Sequence, residues 1–408
     1  MNFTALDWAI LLAVYLAMAC GVLFLRPYMR GVADFLAAGR TAGRYMISVS
    51  QGVAALGAIS VVGFLEQNYV AGFAFTWWGM STAIVVLLIT VTGFVIYRFR
   101  ETRCLTLAEF FERRYSRRFR VFMGLLAFLS GIVNFGIFPA VGARFFIHYI
   151  GLPESLQLGP VAASTYPTVM ALLLLTSLFF VFSGGQVAVI ITDFVQGIFV
   201  NLVFLAIVLF LLSTVSWDQI FTALGTAPAD ASLVNPFRTS QVRDFNFWYF
   251  LIGTIGVVYV VMSWQGTQGY NASAESAHEA KMGAVLSNWR GMPQTLFLLI
   301  VPIVAYTVLH HADFSAESAA VSARIAAAES ETIANQLRVP AVLTLLLPTG
   351  LLGAFAAVML TAFISTHDTY LHSWGSIFVQ DVVMPLRKEP FSPEAHMRAL
   401  RISIVGVA

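Results

Sequence analysis

The feature that most constrains this chain is a succession of apolar runs, each long enough to cross a bilayer. They cover residues 7–26, 45–70, 75–97, 121–150, 165–181, 187–212, 248–264, 292–309 and 341–364, and a tenth begins near Leu400. At about 1.5 Å of rise per residue, roughly 20 helical residues cross the hydrocarbon core. Composition agrees with that reading: 59% of the 408 residues are hydrophobic and 11% charged, where a soluble domain carries about 25% charge. The expected fold class is therefore an all-α polytopic membrane protein. Its first run has no basic start and no small-residue cleavage site, so it reads as a retained helix. Cys20 and Cys104 provide neither a disulfide scaffold nor a metal cluster.

Orientation follows from the cations. Arg26, Arg30, Arg40 and Arg44 lie between runs one and two, and eight arginines between Arg98 and Arg120 separate runs three and four. Lys281 and Arg290 follow run seven, and Arg387, Lys388, Arg398 and Arg401 follow run nine. The alternate loops hold only Arg238, Arg243, Arg324 and Arg338. By the positive-inside rule the arginine-rich loops are cytoplasmic and the N-terminus is outside. Nothing marks a nucleic-acid surface. Within the arginine-rich loop, Thr106 and Glu109 have the spacing of a capping box for a short helix. The external stretch ESAAVSARIAAAESETIANQL has the pattern of an amphipathic helix.

Residues 48–72, SVSQGVAALGAISVVGFLEQNYVAG, are apolar but rich in glycine and small side chains. Two readings stand. Small residues can admit a close neighbour, or the helix is interrupted at about residues 53–57, where loosened carbonyls face a cation. Late in the chain, Ser365 and Thr366 follow Ala362 by three and four residues in GAFAAVMLTAFISTHDT. One helical turn then presents two hydroxyls and a carbonyl, donors that suit a hard monovalent ion. Back-bonding of the hydroxyls to the preceding turn is the other reading. Asp193, in ITDFVQG, either attracts a cation or caps a helix. Arg144, inside run four, reads as structural.

Several further pieces occur in a characteristic order: DFLAAGR at 34–40, Gly184-Gly185 followed by TDFVQG at 192–197, HEAKMG at 278–283, LPTGL at 347–351 and ISTHDT at 364–369. With them the chain resembles the sodium:solute symporter family over essentially its whole length. The resemblance implies an inverted repeat of five plus five helices behind one leading helix, with the first helix of each repeat broken at mid-membrane. Carried over, residues 1–44 form the leading helix and a cytoplasmic loop, 45–213 the first repeat, and 214–408 an external loop and a partial second repeat. Eleven helices would be needed, so the resemblance implies a C-terminally incomplete piece of a longer protein.

Matched position by position, the family's sodium site falls on the carbonyls of Val53, Leu56 and Ala362 and the hydroxyls of Ser365 and Thr366. Its aspartate on the ion exit path falls on Asp193. Substrate contacts fall on Ser60, Glu66, Trp77, Trp78, Ser263, Trp264, Gln265 and Gln268. Ala55 replaces an aspartate of the proline-carrying branch. Ser60, Val260 and Ser263 replace polar groups of the sugar carriers, so a galactose-like site is not expected. No motif marks a second sodium site. The implied function is sodium-coupled symport of a small polar organic solute across the cytoplasmic membrane. Its implied partners are sodium, the solute and the bilayer, with no obligate protein partner. A transporter-like sensor with a signalling region beyond residue 408 is the alternative. No HExxH, nucleotide-binding glycine loop or nucleophile elbow is present, so an enzyme is not expected.

The charge asymmetry makes a direct prediction. A reporter fused after Arg114 stays in the cytoplasm and one fused after Ala229 is exported; paired phosphatase and fluorescence fusions read both, and the opposite pattern would reverse the assigned orientation.

Overall fold

A computed structural model describes residues 2–29, 31–158, 161–242, 245–260, 264–326 and 328–408. Helix α1, Ala5–Leu25, starts from a reciprocal cap in which Thr4 N–H donates to Asp7 (2.9 Å) and Asp7 N–H to Thr4 Oγ1 (3.5 Å). The second apolar run divides into α2, Arg44–Ala54, and α3, Ala58–Ala71, bent by 71°. Next come α4, Phe73–Val91, the short helix α5, Leu107–Arg114, and the pair α6, Arg117–Phe135, and α7, Phe138–Ile150. Helix α8, Thr165–Thr214, has 50 residues, about 75 Å of rise. Gly185, at φ 51° and ψ −155°, splits it into two crossings, as its two apolar runs predict.

The second half opens with α9, Phe247–Val260, and α10, Gln268–Ser273, followed by α11, Ala277–Arg290, and α12, Met292–His310. A further pair, α13, Ser315–Ala326, and α14, Glu331–Leu346, leads to α15, Leu351–Ile377, which continues helically to Leu386. Helix α16, Pro393–Val407, follows. Among the described residues six helices are long and apolar enough to span alone, and two bent pairs raise the number to eight, against the nine complete spans expected. Exposed Leu12, Leu16, Leu23, Phe24, Leu88, Leu129, Leu202 and Leu209 mark lipid-facing surfaces.

Three expectations need correction. The apolar run at 341–364 is not one span: Pro348 and Gly350, at φ +89°, end α14 and start α15 in a new direction. Ser365 and Thr366 therefore lie near the middle of a long helix and not at its cytoplasmic end. Residues 278–283 are helical and not a loop, because Ser276 caps α11 by accepting from Glu279 N–H (3.2 Å) and Ala280 and Gly283 are buried. Lys281 and Arg290 thus belong to a helix. The external amphipathic stretch is two helices, since Ser330 caps α14 by accepting from Ile333 N–H (3.3 Å). A small antiparallel hairpin, β1, Ser155–Leu158, and β2, Val161–Ser164, was not expected. The Thr106 cap forms, accepting from Glu109 N–H (3.1 Å), but Glu109 accepts in return from Leu105 N–H (2.9 Å).

The core lies where α3, α7, α12 and the second half of α8 surround α15. Phe204 and Phe297 stack with centroids 3.8 Å apart, and Phe355 approaches Phe297 at 5.5 Å. Asp7 joins the two ends of the chain. Buried to 1% exposure, it accepts from Gly350 N–H (2.8 Å) and Gly353 N–H (2.9 Å) at the start of α15. A carboxylate there satisfies orphan donors and opposes the helix dipole.

Removing that carboxylate leaves buried N–H groups unpaired. Asp7→Ala is expected to cost about 1–3 kcal/mol, read as a lower thermal midpoint in detergent, whereas Asp230→Ala on an exposed loop stays within about 0.5 kcal/mol.

Candidate functional site

The chain loosens between α2 and α3 because Gly57 takes an extended conformation at ψ 164°. Val53 O then accepts from Leu56 N–H (2.9 Å), one residue nearer than in a regular helix. Ala54 O, deprived of its helical partner, accepts from Thr366 Oγ1 at 2.9 Å. Only glycine permits this crossing: a Cβ at position 57 would fall 2.7 Å from Thr366 Oγ1 and 3.0 Å from its Cβ. Val53, Ala362, Ser365 and Thr366 are all buried, and Leu56 is 5% exposed. Ala55, in contrast, is exposed at the break. The structure thus brings the interrupted helix and the Ser365–Thr366 turn together, although they lie some 300 residues apart in sequence.

Beside this crossing is a chain of oxygens. Asp193, eight residues past the break of α8, is fully buried, and one carboxylate oxygen accepts a short hydrogen bond from the Tyr270 hydroxyl. Tyr270 Oη is also 2.9 Å from Thr369 Oγ1, which lies 3.4 Å from Asp368 Oδ1. Asp193 Oδ1, Asp368 Oδ2 and Ser365 Oγ have no hydrogen-bond partner; Ser365 faces Asp193 without a bond of normal length. The capping alternative for Asp193 is removed, because the residue is well inside its helix and Thr192 Oγ1 bonds back to Ala188 O (2.8 Å).

Buried carboxylate oxygens without donors are costly unless a cation balances them. No Lys or Arg pairs with Asp193 or Asp368 among the described residues, and no three His, Cys, Asp or Glu side chains converge. The donors are carbonyls, hydroxyls and carboxylates, which fit a hard cation and not a soft metal.

The expected solute contacts divide among separate places. Gln265 and Gln268 border a cavity of about 30 Å³ with Leu36, His372, Ser373 and Gln380; both amide atoms of Gln268 and the Gln265 oxygen lack partners. Trp264 donates to Tyr370 Oη (3.1 Å) and meets Trp374 edge-on at 5.1 Å. Ser60 is half-buried on the first turn of α3 and Glu66 half-buried farther along it. Trp77 and Trp78 join an aromatic cluster with Phe237, Phe247 and Phe250, with Trp77 42% exposed. Ser263 lies outside the described residues.

Sequence reasoning assigned no role to Tyr270, Asp368 or Thr369. The available signal was an aspartate inside a lipid-depth helix, which marks function by default. It also counted Arg290 among loop cations. The structure buries Arg290 Nε and Nη1 without acceptors, and a Cβ at Gly52 would fall 1.8 Å from its Nη2. Arg144 stacks over Tyr166 at 5.4 Å, a structural placement.

Comparison with known proteins follows the same lines. The chain is 25% identical over 389 residues to the sodium/pantothenate symporter of Haemophilus influenzae, covering 93% of this chain and 72% of that protein. Against the sodium/glucose cotransporter of Vibrio parahaemolyticus it is 24% identical, covering 94% and 69%. The sodium/sialic acid symporter SiaT of Proteus mirabilis is 24% identical, covering 99% and 76%. A solved structure of a Na+-coupled sialic acid symporter, in a substrate-bound outward-open state, superposes with a TM-score of 0.80 at 20% identity, covering 99% of this chain and 80% of that one. That likeness is one of fold. A profile of the sodium:solute symporter family matches residues 35–408, and this multi-pass membrane chain therefore belongs to that family.

Proposed function

We propose that this chain is a symporter that couples inward sodium movement to uptake of a small polar organic solute. The observation that carries the reading is the meeting of the α2–α3 break with Ser365 and Thr366. In this assignment sodium is held by the carbonyls of Val53, Leu56 and Ala362 and by the two hydroxyls. Asp193, which has one carboxylate oxygen without a hydrogen-bond partner, receives the ion on its way to the cytoplasm.

The sodium-coupled relatives support the ion, while their differing solutes leave the cargo a class and not a compound. Trp264, Gln265 and Gln268 form the inner contact set, and Ser60 and Ser263 are assigned to the same solute; Glu66, Trp77 and Trp78 act on the outer approach. The unpaired amides favour a hydrogen-bonding solute. Residues 45–213 and the helices from 214 onward form the two inverted repeats, and the N-terminus lies outside. No covalent chemistry is involved.

Ser365→Ala and Thr366→Ala test the ion site because the backbone ligands survive both changes. Each removes one oxygen from a dehydrated cation, a loss on the order of 1–3 kcal/mol, or roughly 5- to 150-fold in affinity. In proteoliposomes the sodium midpoint for solute uptake is expected to rise accordingly, while solute affinity in saturating sodium returns close to wild type. Thr366→Ser, which keeps the hydroxyl, should restore most of the loss. An unchanged sodium midpoint in the double alanine variant would remove these hydroxyls from the ion site.

A further inference from the structure

On the face opposite the arginine-rich loops, four elements line an open cavity of about 540 Å³, within the usual range for small-molecule sites of about 300–1,000 Å³. Tyr69 comes from the last turns of α3, Tyr306 and His310 from the end of α12, Ser318 and Ser322 from α13, and Arg338 from α14. The rings form a continuous wall. His310 stacks on Tyr306 with centroids 3.9 Å apart, held by its Nδ1 hydrogen bond to Tyr306 O (2.9 Å), and Tyr69 meets Tyr306 at 5.5 Å.

The polar groups in this cavity are unbalanced. Arg338 lies over the Tyr69 ring, 5.0 Å from its centroid, and among the described residues makes no ion pair and no hydrogen bond. The hydroxyls of Tyr69, Tyr306 and Ser322 likewise have no hydrogen-bond partner there, while Ser318 is engaged with Leu309 O (3.1 Å). Glu66, one turn before Tyr69, is close enough to feel the charge of Arg338, but it forms no ion pair with it and does not line the cavity. The cavity thus offers a guanidinium fork and several hydroxyl donors without a matching acceptor.

We infer that this cavity is an outer binding site for a small monocarboxylate, gripped by Arg338 and sandwiched by Tyr69, Tyr306 and His310. A guanidinium pairs two parallel N–H groups with the two oxygens of a carboxylate, a match a neutral amide cannot reproduce. Seating the cation on Tyr69 fixes its plane, and the ring wall covers an apolar or planar body attached to the carboxylate. A single guanidinium with Glu66 nearby suits one negative charge; a phosphate dianion would be left without a second cation. The site does not depend on the sodium assignment, since it is built from other residues.

Benzoate and its neutral isostere benzamide are suitable probes, titrated by calorimetry into the full chain in detergent. Benzoate should bind saturably and benzamide at least about tenfold more weakly, the usual scale for losing a charge-assisted pair. Arg338→Gln should weaken benzoate by a similar factor, Arg338→Lys by less, and Glu66→Gln should tighten it. Because Arg338 also packs on Tyr69, Ser322→Phe supplies an independent block that fills the cavity and leaves the guanidinium in place; it should abolish binding, with the thermal midpoint confirming a folded protein. Absence of saturable benzoate binding, equal affinity for the two probes, or benzoate binding that survives both Arg338→Gln and Ser322→Phe would each overturn the inference.

Discussion

A carbonyl freed from its helix persists at bilayer depth only if something replaces the lost N–H, and at Ala54 the replacement is the hydroxyl of Thr366. The rest of the site depends on that contact. It requires α15 to approach the break closely, which glycine at position 57 permits, and it fixes which side of α15 faces α2 and α3. Ser365 and Ala362 then fall on the same side by helical spacing. Closeness continues along α15: Gly142 and Gly131 admit the rings of Phe363 and Trp374, where a Cβ would fall within 2.5 Å. Small residues on the neighbours let a helix with bulky aromatics occupy the centre.

A helix as polar as the second half of α15 cannot face lipid. Thr366, His367, Asp368, Thr369, His372, Ser373 and Ser376 are all buried in protein. His372 Nε2 bonds to Phe35 O (2.7 Å), and Ser373 donates to Gly266 O (2.7 Å). These bonds reach the segments that precede α2 and α10, so the polar face of α15 also determines where those segments lie. At its far end Asp381 accepts from Arg120 Nε (2.9 Å) and from Thr106 Oγ1 (2.8 Å). Asp7 fixes the other end. One helix is thus held at its start, middle and finish by polar contacts, each made with a different part of the chain.

This arrangement explains what the sequence revealed and what it hid. The α2–α3 break was legible because glycine and small residues cluster there, a local property of the backbone. The division at Gly185 was legible for the same reason. The start of α15 was not: hydropathy joins 341–364 into one run, and the turn at Pro348 and Gly350 is stabilised by Asp7, more than 340 residues away. Its true extent was hidden too, since a window average penalises the polar residues that neighbours bury. Asp193 could be singled out as an intramembrane acid, but its surroundings could not, because Tyr270, Thr369 and Ser365 arrive from distant elements. Arg290 was misplaced because a cation in a chain of loops and spans reads as a loop residue until its burial is seen.

The start of α2 adds a last constraint. Arg44 pairs with Glu279 at the start of α11, Ala42 N–H donates to Ser273 O (3.0 Å), and Glu275 N–H donates to Ala42 O (2.9 Å). Arg100 reinforces the same joint by donating to Ala274 O (2.7 Å). These ties hold the half-helix against the α10–α11 connection. The side chains of Arg44 and Glu279 retain 32% and 17% exposure, so solvent screens part of their attraction. Ala42, Ser273 and Ala274 are buried and Arg100 is 7% exposed, so within this joint it is the Arg44–Glu279 pair that opens toward solvent. The centre of the fold and the joint before α2 are therefore held by different kinds of interaction: aromatic packing around Phe204, Phe297 and Phe355, and polar contacts between Arg44, Arg100 and the α10–α11 connection.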